Sequence, residues 1–189
     1  MIKTYTNVLN DDLIKKNFQY LNLALKKDVW GSNIAWQQFL MSNSSIILTH
    51  QIIDKLLYKK IKNSIEVTLD IDFEKEELNF FPFIYVWSGG SYITWHSDNN
   101  YPYNGTIYLN EEWDSNDGGV FLYKDNQTKE IKGIEPTYNS MIVNSATETD
   151  PHNFHCVTCI VPGTIKKRVT IQWRTNKIDK TKKNNISYQ

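Results

Sequence analysis

Cysteine is nearly absent from this sequence. Cys156 and Cys159 are the only two in 189 residues. That is too few for a disulfide framework and leaves a reducing cytoplasm as the compartment expected. Long apolar runs are missing as well: none approaches the roughly 18 residues of a membrane-spanning helix. The opening Met1-Ile2-Lys3-Thr4 carries no apolar secretory stretch, and no membrane partner is expected. Nor is there a surplus of either charge, since 21 Lys and Arg face 21 Asp and Glu. That balance gives no general pull toward nucleic acid, although it leaves room for a local basic patch. No internal repeat is visible. The length suits one domain with a real core.

The pattern along the chain divides near residue 65. Before it, Leu13 or Ile14, Phe18, Leu21 and Leu25 recur at helical spacing, with Asn10 or Asp11 placed to cap the start. Beyond Ser45, Ile53, Leu57 and Ile61 form a second helical stripe. From there Ile65, Val67, Leu69, Ile71 and Phe73 alternate with polar residues, as a half-buried strand does. Further strand-like runs follow at 80–87, 91–95, 106–110, 119–123, 140–144, 156–161 and 168–173. Turn residues punctuate them at 88–90, 114–118 and Pro162-Gly163. The expected fold class is mainly β with N-terminal helices (α+β), built as a sandwich or jelly roll. Residues 1–176 are expected to form one domain, with 1–64 as helical support and 65–176 as the β core. The Lys- and Asn-rich stretch 177–189 is expected to be a flexible tail.

Histidine is scarce, which makes its placement informative. The four are His50, His96, His152 and His155. His96 and Asp98 form a His-x-Asp pair; at a strand end residues i and i+2 point the same way, so both side chains can reach one ion. His155 or His152 offers a third ligand far downstream. Two imidazoles and one carboxylate fill one face of an octahedron and leave three adjacent positions open, as non-haem Fe(II) oxygenases require. The pair alone is a weak signal. A late strand strengthens it: Val169, Ile171 and Trp173 share one face, which leaves Arg168 and Thr170 together on the other. A guanidinium with a neighbouring hydroxyl clamps a carboxylate well. A buried arginine needs an anion, and a dicarboxylate cosubstrate would supply it. The Cys156-x-x-Cys159 motif lacks a second pair or a helix start and reads as strand packing. Gly89-Gly90 opens no helix, so it reads as a turn and not as a phosphate loop.

An ordered set of segments carries a family resemblance over about half the chain. They are His96-Ser97-Asp98-Asn99, 107–114, Gly118-Gly119-Val120-Phe121-Leu122, Ile134-Glu135-Pro136, His155-Cys156-Val157 and 168–173. Together they resemble the 2-oxoglutarate/Fe(II)-dependent dioxygenases, above all the prolyl hydroxylases of the hypoxia-sensing type and their microbial and viral relatives. The resemblance implies a double-stranded β-helix with Fe(II) near the mouth of the barrel, 2-oxoglutarate as cosubstrate, and ascorbate as a support for turnover. It implies His96, Asp98 and His155 as metal ligands and catalytic centre. Arg168, with Thr170 beside it, would hold the far carboxylate of 2-oxoglutarate, and Tyr108 would hydrogen-bond it. Tyr85, counted with the cosubstrate site, and Tyr92 match two family tyrosines near the substrate mouth.

Two departures from the family pattern are visible. The family's distal histidine stands about ten residues before the basic residue, whereas His155 stands thirteen before Arg168 and His152 sixteen. The extra residues read as a longer hairpin turn over 162–167. Val157, Ile160 and Gly163 follow His155 in the family's rhythm and favour it. Asp150-Pro151-His152 resembles the local sequence at the ligand in the hypoxia-type enzymes and keeps His152 as the alternative. Lys166 is the alternative to Arg168, as lysine serves in the collagen-type relatives. The activity implied is 2-oxoglutarate- and O2-dependent hydroxylation, with a prolyl residue of a protein or peptide as substrate and nucleic acid not expected. The alternatives are an oxygenase acting on nucleic acid or a small molecule, and a non-catalytic jelly-roll binding module. Asp98 argues against the halogenating relatives, which lack this carboxylate.

Overall fold

Among the described residues, two amphipathic helices arise from the first 70. α1 (Asp11–Lys26) is capped by Asn10, whose Oδ1 accepts from the Leu13 N–H at 2.8 Å, and Asp11 and Asp12 place negative charge in its first turn. Its Leu13, Ile14 and Leu21 are buried. α2 (Lys55–Leu69) is capped by Asp54, which accepts from the Leu57 N–H at 2.8 Å, and ends at Asp70 in the left-handed conformation with φ 55°. Here the expected strand from Ile65 onward is corrected: the chain stays helical through Leu69. Leu57, Ile61 and Ile65 form the buried stripe, while Val67 is 82% exposed. Ile65 and Leu69 belong to both a period of two and an i, i+4 stripe, and the stripe prevails because it covers a sheet. Ile53, 71% exposed, precedes the helix and is not part of that stripe.

The computed structural model describes residues 1–26, 31–32, 43–98, 101–145 and 154–179. Its strands are β1 (Ile2–Thr6), β2 (Gly31–Ser32), β3 (Leu48–Gln51), β4 (Leu78–Trp87), β5 (Ile93–His96), β6 (Tyr103–Tyr108), β7 (Phe121–Lys124), β8 (Ile131–Ile134), β9 (Ser140–Ser145), β10 (His155–Val157) and β11 (Arg168–Lys177). One sheet runs β1-β9-β6-β11-β4-β3-β2 and the other β5-β10-β7-β8. From β4 onward the chain passes back and forth between the sheets, which is the winding of a double-stranded β-helix. Each strand-like run from residue 80 on overlaps an observed strand. β1, β3 and β8 carry too few alternating apolar residues to announce themselves. Of the expected tail, the residues beyond 179 lie outside the described residues. Among those described, no helix is long and apolar enough to cross a membrane.

Alternation along β11 sorts the interior into two layers. Val169, Ile171 and Trp173 face the helices and pack with Leu13, Ile61, Ile65 and Phe73. The opposite face of the large sheet meets the small sheet, where Tyr85, Trp87, Tyr108, Ile142, Ile93, Phe121 and Val157 form a second cluster. Arg168 and Thr170 sit on that inner face, both buried. The register holds Tyr85, Thr170 and Tyr108 in one row across β4, β11 and β6.

Candidate active site

His96 is the last residue of β5 and His155 the first of β10, and the two are directly paired across the small sheet. Asp98 follows two residues beyond His96. The ring centroids of the histidines lie 4.2 Å apart. Asp98 Oδ2 is 3.4 Å from His155 Nε2, and Asp98 Oδ1 is 4.0 Å from His96 Nε2. One ligand atom from each residue falls within 4.8 Å of the others, a group able to hold a metal ion. Cis ligands on an octahedral ion with bonds of about 2.1 Å stand roughly 3 Å apart, so little movement separates this geometry from coordination.

The surroundings prepare the ligands. His96 Nδ1 lies 2.8 Å from the Thr94 carbonyl oxygen. A proton there fixes the tautomer that leaves the Nε2 lone pair facing Asp98. Burial, aided by the charge of His155, pushes the His96 pKa down, which favours the neutral ligand form. Burial pushes the Asp98 carboxyl up. The hydrogen bond and charge of His155, with the charges of His96 and Arg174, outweigh burial and hold it below the usual carboxylate range. Phe121 stacks on the buried His155 ring at 5.0 Å between centroids and fixes its plane.

Arg168 lies on the inner face of the same cavity that His96, Asp98 and His155 line. It is 1% exposed, and among the described residues no carboxylate pairs with it. Its Nη1 donates to the Gly119 carbonyl at 3.0 Å, its Nε has no partner among the described residues, and its guanidinium lies 4.6 Å from the Trp87 ring and 5.0 Å from the Tyr108 ring. Burial lowers its pKa, against the opposing influence of Tyr108. The buried Tyr108 hydroxyl also lacks a partner within hydrogen-bonding geometry; burial raises its pKa, while the nearby Arg168 charge pulls it down. A buried cation and a buried phenol, both short of acceptors, are the complement of an anionic group. Gly119 makes room for this arrangement. At φ +73° it adopts a conformation side chains resist, and a Cβ there would come within 2.8 Å of Arg168 Nη1.

Tyr85 lines the cavity; Thr170 and Tyr92 are not among its lining residues. Thr170 lies beneath, its hydroxyl accepting from the Trp87 indole N–H at 3.4 Å, and the Tyr92 hydroxyl accepts from the Asn43 N–H at 3.3 Å. Lys166 precedes β11 and pairs with Asp117 at 3.3 Å, outside the cavity lining. His152 and Asn99 lie outside the described residues. A turn is present over 162–167, with the Thr164 N–H closing on the Val161 carbonyl at 3.1 Å and Gly163 at φ 93°, but the expected hairpin is corrected, because β10 and β11 lie in different sheets and the segment crosses between them.

The sequence reading missed several residues of the site. Asn110 brackets Arg168: its Oδ1 accepts from the Val169 N–H at 2.6 Å and its Nδ2 donates to the Lys167 carbonyl at 2.7 Å. Gln172 and Arg174 continue the inner face of β11 into the cavity. Alternation carried past Thr170 would have found both.

A family model described as the 2OG-Fe(II) oxygenase superfamily matches residues 82–174. No curated protein matches the sequence. Among solved structures, the chain is similar to a prolyl hydroxylase from Trichoplax adhaerens in complex with a hypoxia-inducible-factor peptide fragment. That likeness has 13% identity and a TM-score of 0.72, over 93% of this chain and 83% of that one. It is similar to a prolyl-4-hydroxylase from Pseudomonas putida at 13% identity and a TM-score of 0.67, over 94% and 93%. It is also similar to a viral collagen prolyl hydroxylase of Paramecium bursaria Chlorella virus-1, in complex with 2-oxoglutarate, at 16% identity and a TM-score of 0.63, over 94% and 96%. At such identities the likeness shows the shared fold. The double-stranded β-helix, the His-Asp-His group and the family match agree: residues 82–174 belong to the 2OG-Fe(II) oxygenase superfamily.

Proposed function

We propose that the protein is a 2-oxoglutarate- and O2-dependent hydroxylase acting on a prolyl residue of a polypeptide. The observation that carries this is one cavity lined by both the His96, Asp98, His155 group and a buried Arg168 that has no anionic partner among the described residues. In this reading His96, Asp98 and His155 hold Fe(II). Arg168 binds the distal carboxylate of 2-oxoglutarate, and the Tyr108 hydroxyl donates to the same group. Tyr85 walls the cosubstrate on the β4 side, and Thr170 acts one step removed by holding Trp87 against the guanidinium. With both cofactors bound, the centre supplies the oxidative cleavage of 2-oxoglutarate to succinate and CO2, placing one oxygen atom of O2 in succinate and the other in a substrate C–H bond. The chain's own contribution is to orient and to shield. Ile93, Phe121, Ile142 and Val157 wall the cavity with apolar surface and limit water around the reacting centre.

Support for a polypeptide substrate comes from the prolyl hydroxylases that share this fold, one of them with a peptide in its complex. The balanced net charge agrees with it, because nucleic-acid enzymes usually present a basic surface. The test is incubation with Fe(II), ascorbate and 2-oxoglutarate in the presence of proline-rich peptides, free proline or methylated single-stranded DNA. Succinate release and product mass are followed. Succinate formation coupled to oxygen gain on a peptidyl proline is expected; coupling only to DNA or to free proline would overturn the substrate assignment.

A further inference from the structure

We propose that Arg174 and Asn144 form a subsite at the substrate side of the cavity that recognises an acidic residue of the polypeptide near the oxidised position. This rests on the polypeptide reading above. Arg174 is half-buried on the inner face of β11, in register with Asn104 of β6, which is in turn in register with Asn144 of β9. Its guanidinium lies between two aromatic faces, 5.2 Å from the Phe83 ring and 5.0 Å from the Tyr101 ring, and Nη1 donates to the Tyr101 hydroxyl at 2.8 Å. The Tyr101 N–H bonds the Asp98 carbonyl at 3.0 Å, which ties this wall to the metal-ligand group.

What Arg174 lacks points to its ligand. Its buried Nε has no acceptor, and among the described residues no carboxylate pairs with it. Asp98 is an anionic group whose charge couples to Arg174, and an Fe(II) ion held by Asp98 would take up that charge. Arg168 stands six residues earlier on the strand, roughly 20 Å away at about 3.4 Å per residue. The diacid held at Arg168 is therefore a separate ligand from whatever meets Arg174. Asn144 adds the complementary demand, because it lines the cavity and its buried Oδ1 has no donor among the described residues. An acidic residue within a polypeptide satisfies both groups, its carboxylate accepting from Arg174 and a backbone N–H donating to Asn144. The two flanking rings hold the guanidinium in plane for that contact.

The test measures fluorescence anisotropy of labelled proline-containing peptides on the Fe(II)- and 2-oxoglutarate-loaded protein under anaerobic conditions. Asp, Asn or Lys is placed in turn at each of the three positions on either side of the proline. Wild type is expected to bind the best Asp peptide roughly ten- to a hundredfold more tightly than its Asn counterpart. Arg174→Gln should erase that preference, Arg174→Lys should keep most of it, and Arg174→Glu should transfer it to the Lys peptide. Circular dichroism and a Tm close to wild type in each variant show the fold intact. Equal binding of Asp and Asn peptides by wild type, survival of the preference in Arg174→Gln, or no peptide binding at all would overturn the proposal. Product mass decides the prolyl reading separately. Oxygen gain on proline without regard to Asp sinks only the subsite, and an Arg174-dependent acid preference with oxygen gained elsewhere sinks only the prolyl assignment.

Discussion

Replacing Arg168 with Met removes a buried cation whose charge nothing else in the described protein neutralises. Two opposite effects follow. In the unliganded protein the guanidinium has one hydrogen bond, to the Gly119 carbonyl, and two aromatic faces. Such contacts are worth about 0.5–2 kcal/mol each and offset only part of the cost of burying a charge. Substitution by an apolar chain of similar length is therefore close to neutral for the empty fold, as it is for many buried ionic groups. In the liganded protein the same change strips the partner from a buried carboxylate, which costs about 2–5 kcal/mol, or roughly 30- to 4,000-fold in affinity. Thermal denaturation with and without 2-oxoglutarate, metal present throughout, separates the two. At a hundred times its dissociation constant the ligand stabilises wild type by about 2.7 kcal/mol. In a chain of this size that raises Tm by about 5–10 °C. Arg168→Met should keep the basal Tm within a few degrees and lose at least about two-thirds of the ligand shift at the same concentration. A variant that still responds fully to 2-oxoglutarate would refute the assignment of Arg168 and turn attention to Lys166.

Other substitutions have equally definite outcomes. His96→Ala, Asp98→Ala and His155→Ala should each lose most Co(II) uptake by equilibrium dialysis and all succinate production, whereas His152→Ala should retain both; the reverse result for the two downstream histidines would move the ligand to His152. Asp54→Ala removes the α2 cap and should cost about 1 kcal/mol in urea denaturation, while leaving the 2-oxoglutarate requirement unchanged. Gly105→Ala would set a Cβ 2.7 Å from the Ile142 carbonyl oxygen and 2.8 Å from the Trp173 ring. A loss of about 1–3 kcal/mol is expected, and an unchanged denaturation midpoint would show that β6 and β9 can separate at no cost.

Much of the β core could be read from the sequence because its strands bury one face and alternate cleanly. Arg168 was legible for that reason: Val169, Ile171 and Trp173 define one face and leave arginine on the other. The metal group was legible through the i, i+2 geometry of His96 and Asp98. The pairing of His155 with His96 across the sheet is a long-range register that no local pattern encodes. The helix over Ile65–Leu69 was misread because alternating apolar residues fit two periods, and only the sheet beneath decides between them. β1 was hidden for the opposite reason. It is a mostly polar edge strand, held by its pairing with β9 from Ile2↔Asn144 to Thr6↔Ser140 rather than by buried side chains of its own. Arg174 and Asn144 were missed because a polar residue at an inner-face position looks like surface until the opposing sheet is in place.

Anaerobic titration of the Fe(II)-loaded protein with 2-oxoglutarate tests the central claim most directly. Chelation by the keto acid gives iron a new charge-transfer absorption in the visible, independent of any polypeptide substrate. The protein should develop this band with one equivalent each of iron and 2-oxoglutarate, lose it in Asp98→Ala, and require far more 2-oxoglutarate to reach it in Arg168→Met. Iron bound with no spectral response to 2-oxoglutarate at any concentration would contradict the account.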